Sequence, residues 1–310
     1  ADASTDMKED NLAGFLAFSY PLGSFSMDAG LRYEYVSAKY YSFGKYEEEP
    51  SRNYSNWFPN LTLSWNKEPW AASLAYTCKT KRPSYSSLRN EVQYDNRYMY
   101  EGGDPYLRPT IAHDVSLDVM CNWISFGVEY LYEDNPIIWY VTLYNHQDIA
   151  FLRNVNFSSK QTMTAYVIAA PKFDWYQPTW QVFFQKPFFD AEKYGAPRDL
   201  SKPALGITWN NQFKLSSTWT SWVTLHANTT SYNAFRRYCS GYFASMRMVK
   251  TFFDEALTVN FYADDIFRSQ KDQWTMYGDH ATLTKDSYNS AREIGVRVVY
   301  KFNSGHRKYK

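Results

Sequence analysis

Residues 24–35, with the sequence SFSMDAGLRYEY, decide the fold class of this chain. One set of alternate positions is apolar or aromatic: Phe25, Met27, Ala29, Leu31, Tyr33 and Tyr35. The positions between them are polar or small: Ser24, Ser26, Asp28, Gly30, Arg32 and Glu34. Successive side chains point to opposite faces of a β-strand, whereas a helix repeats every ~3.6 residues. This stretch therefore predicts a long strand with one apolar face and one polar face.

The same alternation recurs along the chain and predicts about 12–14 strands, long enough to cross a bilayer when tilted. Further examples lie at residues 61–65, 70–77, 114–119, 124–130, 205–213, 257–264 and 294–302. We therefore predict an all-β fold, a transmembrane antiparallel β-barrel over residues 1–303, followed by a polar tail at 304–310. A soluble β-sandwich would also alternate, but with strands of only ~5–6 residues and a mostly aliphatic inner face.

The connections between the predicted strands alternate in length. Short ones lie at about 21–23, 66–69, 122–123, 171–174, 216–218 and 252–255. Long ones lie at about 41–56, 81–108, 144–150, 186–202, 230–236 and 269–289. Short turns at one end and long loops at the other are typical of outer-membrane barrels, in which the long loops face outside.

Composition supports a membrane barrel and excludes other classes. Aromatic residues make up 19% of the 310 residues. Many stand at predicted strand ends, as expected of two interfacial girdles: Tyr40, Tyr41, Trp57, Trp65, Trp70, Trp123, Trp139, Tyr140, Trp175 and Trp180. The 33 basic and 32 acidic residues nearly balance, which argues against a nucleic-acid partner. No apolar run approaches the ~18 residues of a membrane-spanning helix.

The strand count, about thirteen, is odd, whereas closed single-chain bacterial barrels have even numbers. The first strand, at about 10–20, and the last, at 291–302, would both run toward the short-turn end. Either one strand is missing from this count, or the chain is the C-terminal part of a larger barrel. An open edge would leave backbone groups unpaired in lipid, so a thirteen-strand piece alone is not expected to be stable.

Six stretches together resemble the C-terminal part of the barrel of TonB-dependent receptors, in the outer-membrane β-barrel family related to starch-utilisation-type receptors. They are FSMDAGLRYE (25–34), WFPNLTLSW (57–65), LAYTCKTKRPSYSSL (74–88), EGGDPYLRP (101–109), ADDIFR (263–268) and GVRVVYKFN (295–303). Two residues depart from the family pattern, since Asp104 and Arg268 stand where asparagine is usual.

The resemblance implies a barrel of about 22 strands with a plugged lumen. It also implies a Gram-negative outer membrane, contact with its lipids, and uptake of a nutrient or chelate driven by TonB acting on the plug. The plug cannot be placed in this sequence, and a surface lipoprotein is a further implied partner. The alternative is a self-contained barrel of about 12–14 strands, acting as a passive channel or as a structural component of an outer-membrane complex.

Charged residues on the polar faces are the candidates for lining the lumen: Asp28, Arg32, Glu34, Asp114, Asp118, Glu129, Arg247 and Arg297. They could contact a plug or a solute, or only pair with one another. Tyrosines of the 82–108 loop are candidates for ligand contact, although packing of the loop on itself explains the same residues and is the more common reason for them: Tyr94, Tyr98, Tyr100 and Tyr106.

No enzymatic chemistry, cofactor or metal site is predicted. Among the histidines, His113 falls on an apolar face and His226 on a polar face, without metal-ligand spacing. The acidic run Glu47–Glu49 is expected in a solvated loop. Asp264 and Asp265 are expected to hold the entry of a loop through local hydrogen bonds.

Overall fold

The computed structural model describes residues 5–302 except 147 and 289, and the predicted polar tail at 304–310 lies outside the described residues. The strands in this range are β1 Thr5–Leu22, β2 Phe25–Ser42, β3 Lys45–Lys67, β4 Trp70–Lys81, β5 Val92–Asn96, β6 Met99–Gly102, β7 Thr110–Cys121, β8 Ile124–Asp134, β9 Ile137–Leu143, β10 Ala150–Asn156, β11 Ser159–Ala169, β12 Tyr176–Phe188, β13 Ala204–Ser216, β14 Trp219–Asn228, β15 Ser231–Asn233, β16 Arg236–Tyr238, β17 Gly241–Phe252, β18 Leu257–Asp264, β19 Lys271–Tyr277, β20 Thr282–Tyr288 and β21 Glu293–Tyr300. Short 3-10 helices occupy Tyr85–Leu88, Tyr144–His146 and Glu192–Tyr194. In this part of the chain no helix is long and apolar enough to span a membrane.

One antiparallel sheet contains thirteen of the described strands, in the order β1-β2-β3-β4-β7-β8-β11-β12-β13-β14-β17-β18-β21. The predicted all-β fold is thus confirmed, and the predicted 12–14 strands correspond to the thirteen strands of this sheet and not to the shorter strands of the connections. Each strand pairs with the next strand of this order, so the sheet is a continuous meander. Over the described residues β1 and β21 lie at opposite edges and are not paired with each other, so the sheet is open.

The register gives the sheet two chemically distinct faces. Leu12 pairs with Tyr35 and Leu16 with Leu31, so apolar side chains meet on one side, which we call the apolar face. Ser19 pairs with Asp28 on the other side, the polar face. Paired residues point to the same side of an antiparallel sheet, so this division is carried from strand to strand. The alternation in the sequence is therefore the alternation of the sheet.

The predicted long connection at 41–56 is wrong. β2 and β3 continue as a hairpin to a two-residue turn at Phe43 and Gly44, where both φ angles are positive. Such turns match the twist of paired strands. The sequence pattern fails here because the register shifts between Ala38 and Tyr40. The acidic run Glu47–Glu49 consequently lies in β3, and not in a loop.

A bulge accommodates this irregular stretch. Ser51 Oγ accepts a hydrogen bond from the Tyr40 N–H at 2.9 Å and donates to the Glu47 carbonyl oxygen at 2.6 Å. Pro50, which has no N–H to contribute, stands beside it. Bulges of this kind allow a strand to continue through residues with low strand propensity.

The other connections at the long-loop end fold into a second layer, the loop layer (residues 82–109, 135–146, 148–158, 189–203, 229–240, 265–288 and 290–292). It contains two four-stranded sheets, in the orders β5-β6-β10-β9 and β15-β16-β19-β20. β6 and β10 come from different connections and pair in parallel. The long loops are therefore joined to one another by backbone hydrogen bonds.

The main buried apolar cluster of the described residues also lies in the loop layer. It consists of Val141, Leu152, Phe157, Phe189, Ala191, Ala196, Leu200, Ala234, Phe235, Met276 and Tyr277. Phe235 is fully buried, and its ring centroid lies 4.6 Å from that of Tyr140 and 5.0 Å from that of Phe157. Trp139 and Tyr140 pack against this cluster, so their predicted place in an interfacial girdle is wrong. They belong to β9, a strand that pairs within the loop layer.

Candidate functional site

The candidate site has two parts, the polar face of the main sheet and the loop layer at its end. The register assigns the eight predicted lumen-lining residues to this one face: Asp28, Arg32, Glu34, Asp114, Asp118, Glu129, Arg247 and Arg297. Asp28 and Glu129 belong to one row of cross-strand partners that passes through Thr62, Ala75 and Ser116. Residues far apart in sequence thus share one surface.

A tyrosine lies across a glycine at two places on the polar face. The Tyr166 hydroxyl donates to Asp118 Oδ1 at 2.5 Å, and its ring covers Gly127, where a Cβ would overlap it. The Tyr262 ring covers Gly295 in the same way, and its hydroxyl donates to Glu293 Oε1 at 2.6 Å. Both glycines provide space that no other residue leaves free. Each arrangement fixes one carboxylate on the polar face.

Arg82 connects the loop layer to the polar face. It follows β4 and forms an ion pair with Glu9 of β1 at 2.6 Å and a second one with Glu34 of β2. Arg32 also contacts Glu34, at 2.8 Å. Glu34 is only 5% exposed, so its charge depends on these two arginines. We call this group the Arg82 cluster.

The sequence gives no sign of this role for Arg82. The residue lies within the resembling stretch 74–88 but outside any alternating segment, so its position could not be assigned to a face. Only the path of the chain after β4, which turns back over β1 and β2, brings the guanidinium to the two glutamates. Glu293 was likewise missed, because the last alternating stretch predicted from the sequence begins at Ile294.

The four loop tyrosines differ in their surroundings. Tyr94, Tyr98 and Tyr106 are more than half exposed. Tyr100 packs between Tyr94 and Tyr144, with ring centroids 5.9 and 4.9 Å apart. The Tyr106 hydroxyl donates to Glu49 Oε2 at 3.1 Å. The loop therefore packs partly on itself and also presents aromatic rings to the exterior.

Asp265 is the centre of hydrogen bonding in the connection after β18. It is 1% exposed and accepts hydrogen bonds from Ser269 N–H at 2.8 Å, from Gln270 N–H at 3.2 Å and from the Tyr288 hydroxyl at 3.3 Å. Burial alone would raise the pKa of Asp265, but these hydrogen bonds outweigh burial and hold its pKa below the ordinary value. This geometry agrees with the predicted role of Asp265 at a loop entry.

Acid is expected to loosen this connection. A carboxyl group with a lowered folded-state pKa stabilises the fold above its unfolded pKa of ~3.9 and loses that contribution as pH falls through the folded value. Hydrogen exchange of residues 265–288, corrected for intrinsic rates, should accelerate below about pH 4. In Asp265→Asn the segment should already exchange faster above this transition, by about 1–3 kcal/mol of lost protection, and should show no acid transition of its own. An unchanged transition in that variant would contradict the assignment to Asp265.

The two strand histidines pair within the main sheet. His113 Nδ1 lies 2.9 Å from the Tyr76 hydroxyl on the apolar face, and His226 Nδ1 lies 2.9 Å from Thr208 Oγ1 on the polar face. Within the described ranges no group of three or more His, Cys, Asp or Glu side chains is placed to hold a metal ion.

Solved structures with the same fold are outer-membrane receptors and transporters. The copper transporter OprC superposes with a TM-score of 0.67 at 10% identity, over 96% of this chain and 50% of that chain. The ferric-catecholate import receptor Fiu from K12 E. coli superposes with a TM-score of 0.64 at 9% identity, over 96% of this chain and 45% of that chain. The FrpB iron transporter from Neisseria meningitidis (F5-1 variant) superposes with a TM-score of 0.63 at 14% identity, over 96% of this chain and 46% of that chain. The chain thus spans about half the length of these structures.

The sequence of this chain also matches a family directly. A search of curated proteins finds no match. The sequence profile of the outer membrane protein beta-barrel family, however, matches residues 2–300, which is nearly the whole chain. This match confirms the predicted family, an outer-membrane location and a barrel that is not an enzyme. The chain belongs to the outer membrane protein beta-barrel family.

Proposed function

We propose that this chain is the C-terminal part of the barrel of a TonB-dependent receptor that imports a nutrient or chelate. The observation that carries the proposal is the open sheet of thirteen strands, which superposes on about half of each receptor structure. Receptors of this kind have about 22 strands and a plug in the lumen. On this proposal, further strands of the same protein pair with β1 and β21 and close the barrel.

The polar face supplies the surface that a plug domain would contact. Its carboxylates are fixed by neighbours, as with Asp118 under Tyr166 and Glu34 beside Arg82, so they are already oriented toward one side. A contact with a plug must form and break during transport. Side chains that are already oriented lose less conformational entropy when the contact forms than mobile side chains do. On this proposal TonB acts through the plug, and not on this chain.

The loop layer would receive the solute. The exposed rings of Tyr94, Tyr98 and Tyr106 are amphipathic and supported by a folded layer. A surface lipoprotein, if one assists capture, would also meet the protein here. The similar structures are a copper transporter, an iron transporter and a ferric-catecholate import receptor. We propose a chelate or a small nutrient for this one.

Gel migration of this chain after refolding in detergent tests the proposal, comparing boiled and unboiled samples. A closed barrel resists SDS because no edge strand is open to unzipping. We expect no shift on boiling for the 310-residue chain and a clear shift for the receptor from which it comes. A shift for the chain alone, together with conductance in planar bilayers, would instead favour a self-contained passive channel.

Uptake in cells gives a second test. Accumulation of the cargo by cells carrying the intact receptor is expected to stop when TonB is removed or the proton gradient is collapsed. The same cells expressing a general porin provide the control, because passive uptake through that porin continues. TonB-independent uptake through the intact receptor would overturn the proposal.

A further inference from the structure

A polar cavity of about 690 Å³ lies in the described structure where the extended β2–β3 hairpin meets β7 and β8. Its lining includes Arg52, Tyr54 and Asn56 of β3, with Tyr106 and Arg108 from the connection that precedes β7. Asn135, which directly follows β8, completes this side. We call this cavity the arginine niche. It exists because β3 continues far beyond its last residue paired with β4, Asn60.

The two arginines of the niche are not neutralised by an ion pair. Within the described residues no carboxylate lies within 4.0 Å of either guanidinium, in contrast to Arg82 with its two glutamates. Arg52 donates one hydrogen bond, to the Leu107 carbonyl oxygen at 2.8 Å. The pKa of Arg52 is lowered by burial and, next, by the nearby charge of Arg108. The two cations therefore lie close enough to repel each other.

The acids of the niche are engaged elsewhere. Glu49 accepts the hydroxyl of Tyr106 at 3.1 Å, and Asp134 accepts the side-chain amide of Asn135 at 2.8 Å. These carboxylates and Asp104, whose charge also acts on Arg52, add negative potential, but among the described residues none forms an ion pair with either guanidinium. Beyond the hydrogen bond from Arg52 to Leu107, both guanidinium groups therefore keep donors for a guest. Guanidinium groups bind carboxylate and phosphate oxygens in a bidentate manner, and such bonds are stronger than neutral ones.

We propose that the arginine niche binds an oxyanion, a carboxylate or phosphate group carried by the imported solute. This inference rests on the proposed receptor function for the origin of the guest. Arg52 and Arg108 hold the oxyanion, while Tyr54 and the amide of Asn56 are placed for hydroxyl or carbonyl groups next to it. Filling the niche with an anion also removes the repulsion between the two cations.

Calorimetric titration of the intact receptor in detergent with citrate, a soluble tricarboxylate, tests the niche. We expect saturable binding that weakens with added salt. Arg52→Gln and Arg108→Gln should each weaken it at least roughly tenfold, as loss of a charge-assisted hydrogen bond predicts. The matched control is Arg97→Gln, an exposed arginine of the same connection that lies over the Tyr98 ring, and it should leave binding unchanged. Sorbitol, a neutral polyol, should not compete.

Fold integrity is read separately, from the shift on boiling and from hydrogen exchange of the loop layer. Arg108 is exposed, so Arg108→Gln should keep both unchanged. Citrate binding that is unchanged in both Arg52→Gln and Arg108→Gln would contradict the proposal that the niche binds the oxyanion. Binding to vesicles that contain lipopolysaccharide, but not to citrate, would overturn the assignment to a solute and give the niche to lipid phosphate.

The two proposals fail in distinguishable ways. If uptake depends on TonB but citrate does not bind, the proposed oxyanion site is wrong and the proposed receptor function still holds. Citrate binding lost in the two arginine variants, in a protein that shows no TonB-dependent uptake, would retain the oxyanion site and remove the receptor function. Uptake reduced in Arg108→Gln but not in Arg97→Gln would support both.

Discussion

Replacing Phe235 by alanine is expected to unfold the loop layer while the thirteen-stranded sheet stays intact. Phe235 is fully buried, and its ring packs against those of Tyr140, Phe157 and Phe189, with centroids 4.6 to 5.2 Å apart. Removing a buried phenylalanine ring destabilises a protein by about 3–5 kcal/mol, because packing is lost and a cavity remains. The layer has one main cluster to hold it, so a loss of this size exceeds what its small sheets can offset.

Limited proteolysis of the intact protein in detergent measures this effect. Cleavage should appear in 135–158, 189–203 and 229–240, whereas the boiled and unboiled forms still migrate differently on a gel. Phe253→Ala is the control, because Phe253 is 74% exposed in the turn between β17 and β18. Equal proteolysis of the two variants would show that the buried cluster does not hold the layer.

Replacing Arg82 by methionine is expected to destabilise the barrel by about 3 kcal/mol, the lower part of the range for breaking a buried ion pair. The lower part applies because the Arg82 side chain is 29% exposed, although that of Glu34 is only 7% exposed. Methionine keeps most of the side-chain length but leaves Glu9 without this partner and Glu34 with Arg32 alone. The midpoint of guanidinium unfolding of the intact protein in detergent measures the loss.

A second substitution separates charge from packing. Adding Glu34→Gln to Arg82→Met removes the buried charge and should recover part of the stability, which is the signature of an uncompensated carboxylate. Arg89→Met is the matched control in the same connection. Arg89 forms an ion pair with Glu91, and the two side chains are 40% and 33% exposed, respectively. It should cost no more than about 1 kcal/mol. Equal losses in Arg82→Met and Arg89→Met would contradict the special role of Arg82.

The sheet could be predicted from the sequence because its two faces meet different environments. The polar and apolar positions of residues 24–35 recur as the two faces of β2. The extension of β2 and β3 could not be predicted, because a bulge and Pro50 interrupt the period of two. Backbone pairing continues there without any alternating pattern of side chains.

The candidate site was predicted only where it coincides with the sheet. Asp118 follows from its strand, since alternation alone assigns it to the polar face. Arg82, Phe235 and the niche arginines depend on contacts between connections that are distant in sequence, such as the parallel pairing of β6 with β10. No local period encodes such contacts. The alternation of the strands, which is local, assigned His113 and His226 to the correct faces, whereas the acidic run Glu47–Glu49 was expected in a loop and lies in β3.

The position of the buried cluster affects how this protein can change over generations. Surface loops vary more in sequence than the elements they connect, because few packing contacts constrain them. Here the loops contain Leu200 and Met276, which are 1% and 0% exposed, so most substitutions at these positions would be eliminated because the layer would unfold. Tyr94 and Tyr98 are exposed and escape that constraint. Variation is thus directed toward the exposed side chains of the loop layer, and the outer surface can change while the fold is kept.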